Sequence, residues 1–81
     1  MTEIAILDYG AGNLASVQFA FERLGARVHR VSDAAGIDAA ERLVLPGVGA
    51  AAWAMRRLDA LGLSDPIRAF PRPLIGLCLG Q

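Results

Sequence analysis

Cysteine and histidine are almost missing from this 81-residue sequence, which contains one residue of each. A single cysteine excludes an internal disulfide bond, and no group of cysteine and histidine residues has the spacing of a metal site. We therefore expect neither a metal ion nor another cofactor. The scarcity of cysteine also favours a reducing, cytoplasmic compartment.

Lysine is absent, because all eight basic residues are arginine, and these are scattered along the chain and balanced by eight acidic residues. Without a basic patch the sequence gives no indication of nucleic-acid binding. No apolar run approaches the roughly 18 residues of a membrane span. The opening "MTEIAILDYG" has an acidic residue where a signal peptide requires basic ones. We expect neither a nucleic acid nor a membrane as partner.

Hydrophobic residues are abundant, at 54% of the chain, and they occur in short runs separated by turn residues. These runs predict strands at 3–9, 27–31, 42–47 and 72–78. Helical spacing or turn signals predict helices at 14–24, 32–41, 50–61 and 64–70. Alternating strands and helices are typical of an α/β protein with an open, mostly parallel sheet and helices on both faces. Because the pattern ends on a strand, we expect residues 1–81 to be the N-terminal portion of a single larger domain.

Unusual residues follow three of the predicted strands. They are "DYGAGN" (8–13), "PGVG" (46–49) and "GLCLGQ" (76–81). Open α/β sheets form their sites at the carboxyl ends of the strands. If the three strands are neighbours, the three segments converge at one edge of the sheet.

Cys78 lies in a G-x-C-x-G sequence, the thiol counterpart of the nucleophile elbow G-x-S-x-G. Flanking glycines permit the sharp turn from strand to helix. A helix beginning there would lower the pKa of the Cys78 thiol. The N–H of Leu79 would then point at the oxyanion of a tetrahedral intermediate. The alternative is that Cys78 is a small buried hydrophobic residue.

The segment "LPGVGA" (45–50) contains the second candidate for an oxyanion hole. Gly47 and Gly49 permit backbone conformations that are closed to other residues. They would allow the N–H of Val48 to turn toward the edge of the sheet as a second oxyanion donor. The alternative is an ordinary turn between a strand and a helix.

The segment "GAGNLA" (10–15) raises a competing hypothesis, since it fits G-x-G-x-x-A between a strand and a helix. Asp33 lies about 20 residues further on, where dinucleotide-binding folds keep a ribose-binding acid. Two features argue against this hypothesis. Asp8 would place a carboxylate where the pyrophosphate approaches, and Asn13 can cap the following helix without any ligand.

Together, "DYGAGNLASV" (8–17), "LPGVGAAAWAMRRL" (45–58) and "PLIGLCLGQ" (73–81) resemble the glutaminase subunit of imidazole glycerol phosphate synthase. This subunit is a triad-type glutamine amidotransferase of histidine biosynthesis. The resemblance runs through the whole chain, which corresponds to the first part of a typical member. It implies a flavodoxin-like class I glutamine amidotransferase fold, incomplete here.

By this resemblance Cys78 would be the nucleophile that attacks the side-chain amide of glutamine. The N–H groups of Leu79 and Val48 would stabilise the tetrahedral intermediate. Gly47 and Gly49 would flank Val48 in the oxyanion strand. Ammonia would leave, and water would hydrolyse the glutamyl thioester that remains.

The resemblance also implies a partner, the (β/α)8-barrel cyclase subunit, with Asn13 facing it. The cyclase would use the ammonia to make imidazole glycerol phosphate and AICAR. Two departures from the family are visible. The catalytic histidine and glutamate lie beyond this sequence, since His29 falls in a predicted strand and is not a suitable base. The family usually reads Gly-Met-Gln after the neighbour of the nucleophile, whereas Gln81 follows Gly80 directly, which leaves a substrate-binding role for Gln81 open.

Several interpretations stay open at this point. Trp53 lies opposite the apolar face of its helix and is either a partner contact or a locally packed aromatic residue. Arg57 is expected on a solvated face. The main alternatives for the function are another triad amidotransferase with a different ammonia acceptor and a non-catalytic flavodoxin-like binding module.

Overall fold

Four parallel strands form one sheet in the computed structural model, which describes residues 2–47 and 51–77. The strands are β1 (Glu3–Leu7), β2 (Arg27–Val31), β3 (Leu43–Leu45) and β4 (Leu74–Gly76). The helices are α1 (Leu14–Arg23), α2 (Ala34–Ala39), α3 (Ala51–Ala60) and α4 (Ser64–Arg68). The order across the sheet is β2-β1-β3-β4. The all-parallel sheet confirms the predicted fold class.

Alternate residues of the central strands β1 and β3 enter two separate hydrophobic clusters. Ala5, Leu7, Leu43 and Leu45 face α2, α3 and α4, where Ile37, Ala54 and Leu58 complete the first cluster. Ile4, Ile6 and Val44 face α1 on the other side of the sheet, together with Leu14 and Val17. Successive side chains of a strand point to opposite faces. Because helices cover both faces, β1 and β3 are apolar without alternation.

The register of the sheet brings three strand ends to the same edge. Ile6 pairs with Val44, and Val44 pairs with Ile75. The chain therefore leaves β1, β3 and β4 at about the same level, with β3 between the other two. Neighbouring strands lie about 4.8 Å apart. The predicted convergence of the segments that follow these strands is confirmed as far as the described residues extend.

The helix boundaries agree with the sequence pattern to within one or two residues, apart from the shorter α2. Gly25 has the positive φ of 94° that a helix C-terminus favours. Leu24, the last residue of the predicted helix 14–24, is 83% exposed. It follows the last residue of α1, and in the described part of the chain no element covers it. No described helix is long and apolar enough to cross a membrane.

Candidate functional site at the carboxyl edge of the sheet

The carboxyl edge, as we call it, consists of residues 8–13 after β1, Pro46 and Gly47 after β3, and Leu77 after β4. Leu77 donates its N–H to the carbonyl of Leu45 at 3.0 Å, so that β3 and β4 stay paired up to this edge. Val48, Gly49, Cys78, Leu79 and Gln81, which the sequence analysis singled out, lie outside the described residues. The structure therefore describes the residues that precede them in the chain, Gly47 before Val48 and Leu77 before Cys78.

Tyr9 joins the first two of these segments. Its hydroxyl donates a hydrogen bond of 2.5 Å to the carbonyl of Pro46. Only 1% of Tyr9 is exposed, and burial raises the pKa of its phenol above the ordinary value of 10.0. A phenol with a raised pKa keeps its proton at neutral pH and remains a hydrogen-bond donor. The peptide between Pro46 and Gly47 thus has a fixed partner in the segment that follows β1.

Gly47 confirms the expectation that this loop needs a glycine. Its φ is 77°, a conformation that side chains other than glycine rarely adopt. A Cβ atom at Gly47 would also lie 2.9 Å from the Cβ of Ala11 and 3.7 Å from the hydroxyl of Tyr9. The loops after β1 and β3 are therefore in direct contact, and only a glycine fits between them.

Two side chains of α3 hold Tyr9 from the other side. Arg57 donates from Nε to the backbone carbonyl of Tyr9 at 2.9 Å. The rings of Trp53 and Tyr9 lie 5.8 Å apart between centroids, with an angle of 37° between their planes. Residues four apart share one side of a helix. Trp53 thus packs locally, as one of its two alternatives predicted. Arg57 is exposed, as expected, and its side chain also binds the carbonyl of Tyr9.

Asn13 begins α1 in a different manner from that expected. Its φ and ψ are 64° and 29°, in the left-handed region, and its side chain makes no capping hydrogen bond. Instead its carbonyl accepts from the N–H of Val17 at 3.3 Å. Asparagine tolerates this conformation better than most residues do. The exposed side chain of Asn13 at the carboxyl edge is compatible with the predicted contact with a partner, which stays a prediction.

Two residues behind the dinucleotide hypothesis, Asp33 and Gly10, have contacts within the chain that account for them. Asp33 accepts a hydrogen bond of 2.8 Å from the N–H of Gly36 and thereby caps α2. A Cβ atom on Gly10 would lie 3.1 Å from Nε of Arg57. Gly10 is thus explained by the close approach of an arginine, and Gly12 has no atom within 4 Å of its would-be Cβ. Neither glycine requires a pyrophosphate to account for it.

His29 is correctly interpreted as a strand residue on the surface. It is exposed on β2, at one edge of the described sheet. Across the sheet, the register aligns His29 with Ala5 of β1, Leu43 of β3 and Leu74 of β4. Three strand spacings, or about 14 Å, therefore separate its backbone from that of β4. Among the residues described here, no group of three histidine, cysteine, aspartate or glutamate side chains could hold a metal ion.

Tyr9 and Arg57 are the residues of the edge whose roles the sequence analysis did not find. A tyrosine after an apolar strand and an arginine on a helix are both common at surfaces. The only signal was the spacing of Trp53 and Arg57, which predicts that both face the same neighbour.

Comparisons with known proteins agree with the motifs at this edge. Over all 81 residues the chain is 55% identical to imidazole glycerol phosphate synthase subunit HisH of Xanthomonas axonopodis pv. citri. It is 54% identical to the same subunit of Xanthomonas campestris pv. campestris and 50% identical to that of Xylella fastidiosa. In each case it spans 40% of the relative's length. No protein-family model matches the chain. Along its whole length, this chain is thus similar to the HisH subunit of imidazole glycerol phosphate synthase, as its motifs indicated.

Proposed function

We propose that this chain is the nucleophile-bearing part of a glutamine amidotransferase domain that serves as a subunit of imidazole glycerol phosphate synthase. The observation that carries the proposal is the pairing of β3 and β4 through the hydrogen bond between Leu77 and Leu45. Cys78 follows the first of these residues directly, and the Pro46–Gly47 turn follows the second. A nucleophile and an oxyanion loop must come from such neighbouring strand ends.

In the proposed reaction the thiolate of Cys78 attacks the side-chain carbonyl carbon of glutamine. The carbonyl π electrons move to oxygen, and the N–H groups of Val48 and Leu79 stabilise the oxyanion. The tetrahedral intermediate then collapses, and its C–N bond breaks as the nitrogen takes up a proton and leaves as ammonia. Water hydrolyses the remaining thioester to glutamate and regenerates the thiol.

Two further groups are needed for this chemistry, a base and the acid that orients it. His29 is excluded as the base by its position on β2. We infer that both groups come from sequence outside residues 1–81. We also propose that the ammonia is used by a (β/α)8-barrel cyclase partner, and that Asn13 lies on the side of the domain that faces this partner.

The test uses a chimera in which residues 1–81 replace the matching segment of the Xanthomonas axonopodis relative, assayed together with that organism's cyclase subunit. We expect glutamine-dependent formation of imidazole glycerol phosphate. Cys78→Ala should reduce glutamate release by about 10⁵-fold, since members of a catalytic triad act as a unit. A glutamine-like electrophile should label Cys78, and glutamine should protect it in a saturable manner.

The two alternatives give different results in this assay. Another triad amidotransferase would release glutamate and label at Cys78, yet it would not support the cyclase. A binding module would show labelling that is indifferent to glutamine, together with no glutamate release. Either result would overturn the proposed assignment to imidazole glycerol phosphate synthase.

A further inference from the structure

The hydrogen bond from Tyr9 to Pro46 is placed where it can influence catalysis without contact with the substrate. The carbonyl of Pro46 belongs to the peptide that Gly47 completes, and Val48 provides the next N–H along the chain. The orientation of an oxyanion donor depends on the peptide that precedes it. A donor must lie about 2.7–3.1 Å from the position that the oxyanion will occupy.

Tyr9 is itself held on three sides. Arg57 fixes its backbone carbonyl, the ring of Trp53 packs against its own ring, and the phenol is almost fully buried. Because the Tyr9 side chain is already ordered, it loses little conformational entropy when its hydroxyl binds the Pro46 carbonyl. It therefore holds this carbonyl more effectively than a mobile surface group would. On the opposite side, Ala11 limits the space beside Gly47.

We propose that Tyr9 is a positioning residue for glutamine hydrolysis, whose hydroxyl holds the Pro46–Gly47 peptide so that the loop that follows presents its N–H to the oxyanion. The inference rests on the function proposed above. Arg57 and Trp53 support Tyr9 from α3, and Gly47 with Ala11 sets the distance between the two loops. Tyr9 does not touch glutamine and transfers no proton.

Tyr9→Phe in the chimera with its cyclase partner tests this role, because phenylalanine keeps the ring and loses only the hydroxyl. We expect kcat for glutamate release to fall by about 10-fold to 100-fold, as expected for a misplaced catalytic group. KM for glutamine should change by less than about twofold, since the oxyanion forms only in the transition state.

Ser64→Ala is the matched control. Ser64 is buried at the start of α4, and its hydroxyl donates to a carboxylate oxygen of Asp59 near the C-terminal end of α3. The control therefore also removes one hydroxyl and one intramolecular hydrogen bond, about 9 Å along the helix axis from Trp53. Urea unfolding should show comparable losses of stability for both variants. Only Tyr9→Phe should lower kcat.

Gly47→Ala provides a second, independent variant of the same contact. It should lower kcat, because its Cβ would meet that of Ala11, and Ala11→Gly in the same chain should recover part of the loss. The strain of a positive φ would remain in the double variant. If Tyr9→Phe does not fold, Gly47→Ala and the double variant with Ala11→Gly test the positioning role instead.

The outcomes separate the inference from the function on which it rests. An unsubstituted chimera without glutaminase activity contradicts the proposed function. An active chimera in which Tyr9→Phe and Ser64→Ala have the same kcat overturns the positioning role and leaves the proposed function intact. Full activity of a folded Gly47→Ala variant would also overturn the positioning role.

Discussion

At the scale of single residues, the carboxyl edge depends on a few side chains that join segments far apart in the sequence. Tyr9 and Pro46 are 37 residues apart, and Arg57 reaches the carbonyl of Tyr9 across 48 residues. Each of these hydrogen bonds gives a partner to a backbone carbonyl in a loop that follows a strand. An unpaired buried carbonyl costs roughly 1–3 kcal/mol, so these contacts keep the loops in one arrangement.

The ionisation of Tyr9 gives a prediction for the pH dependence of stability. Its pKa is raised by burial, so the folded chain keeps the proton more tightly than the unfolded chain does. The contribution of the neutral phenol is complete below about pH 10 and is lost as the pH rises through the raised pKa. As the pH rises above about 10, the free energy of unfolding should therefore fall more in the unsubstituted chain than in Tyr9→Phe.

Tyr9 is the only tyrosine of the chain, so the near-ultraviolet absorbance of the phenolate reports on this residue alone. We expect its titration midpoint to lie above that of the urea-unfolded chain. Equal midpoints, together with equal pH dependence of the two variants, would contradict the burial of this phenol.

At the scale of elements, the three helices whose starts the structure describes begin in different ways. Asp33 caps α2 with its side chain, Asn13 precedes α1 in a left-handed conformation without capping it, and Leu63 precedes α4. Ser64 and Asp65, whose residue types often cap helices, do not cap α4. Ser64 is the first residue of α4, and its hydroxyl binds Asp59 of α3 instead. Capping residues are recognisable from sequence only when no tertiary partner competes for their side chains.

Removal of the cap of α2 should have a measurable cost. Asp33→Ala deletes the acceptor for the N–H of Gly36, and such changes cost about 1 kcal/mol. Asp38→Ala is the control, because it removes one carboxylate from the same short helix. Arg72 binds the backbone carbonyl of Asp38, which this substitution keeps. Urea unfolding should show the loss for Asp33→Ala alone. Equal effects of both substitutions would point to the charge rather than the cap.

At the scale of the whole molecule, the sheet order determines what these residues can do by themselves. His29 lies on the strand at one edge, and the strand that leads to Cys78 lies at the other. The single histidine of the chain is therefore separated from β4 by two intervening strands. A groove of about 290 Å³ also lies beside α1 among the described residues. It is lined by Val17, Phe21, Leu24 and Leu77.

The isolated 81-residue chain should accordingly hydrolyse glutamine negligibly. We expect its rate of glutamate release to be at least about 10⁴-fold below that of the chimera, because a nucleophile without its base and orienting acid loses most of its activity. The assay needs the Cys78→Ala form of the same chain as a blank. A robust, cysteine-dependent rate from the isolated chain would contradict the need for groups outside it.

Much of the fold could be predicted because it depends on short-range pattern. The strand β2 was predicted with its observed bounds, and the first helix, predicted at 14–24, is observed one residue shorter. The exposure of Leu24 was not predicted, because helical periodicity identifies a face without showing whether another element covers it.

The sequence by itself determined the order of strands and helices, the parallel sheet and the places where glycine is required, since these follow from periodicity and from local backbone sterics. Only the tertiary structure decided that Tyr9 holds the Pro46 carbonyl, that Arg57 and Trp53 hold Tyr9, and that His29 is remote from β4. These relations join residues that are distant along the chain. They depend on sheet order and register, which local pattern does not contain.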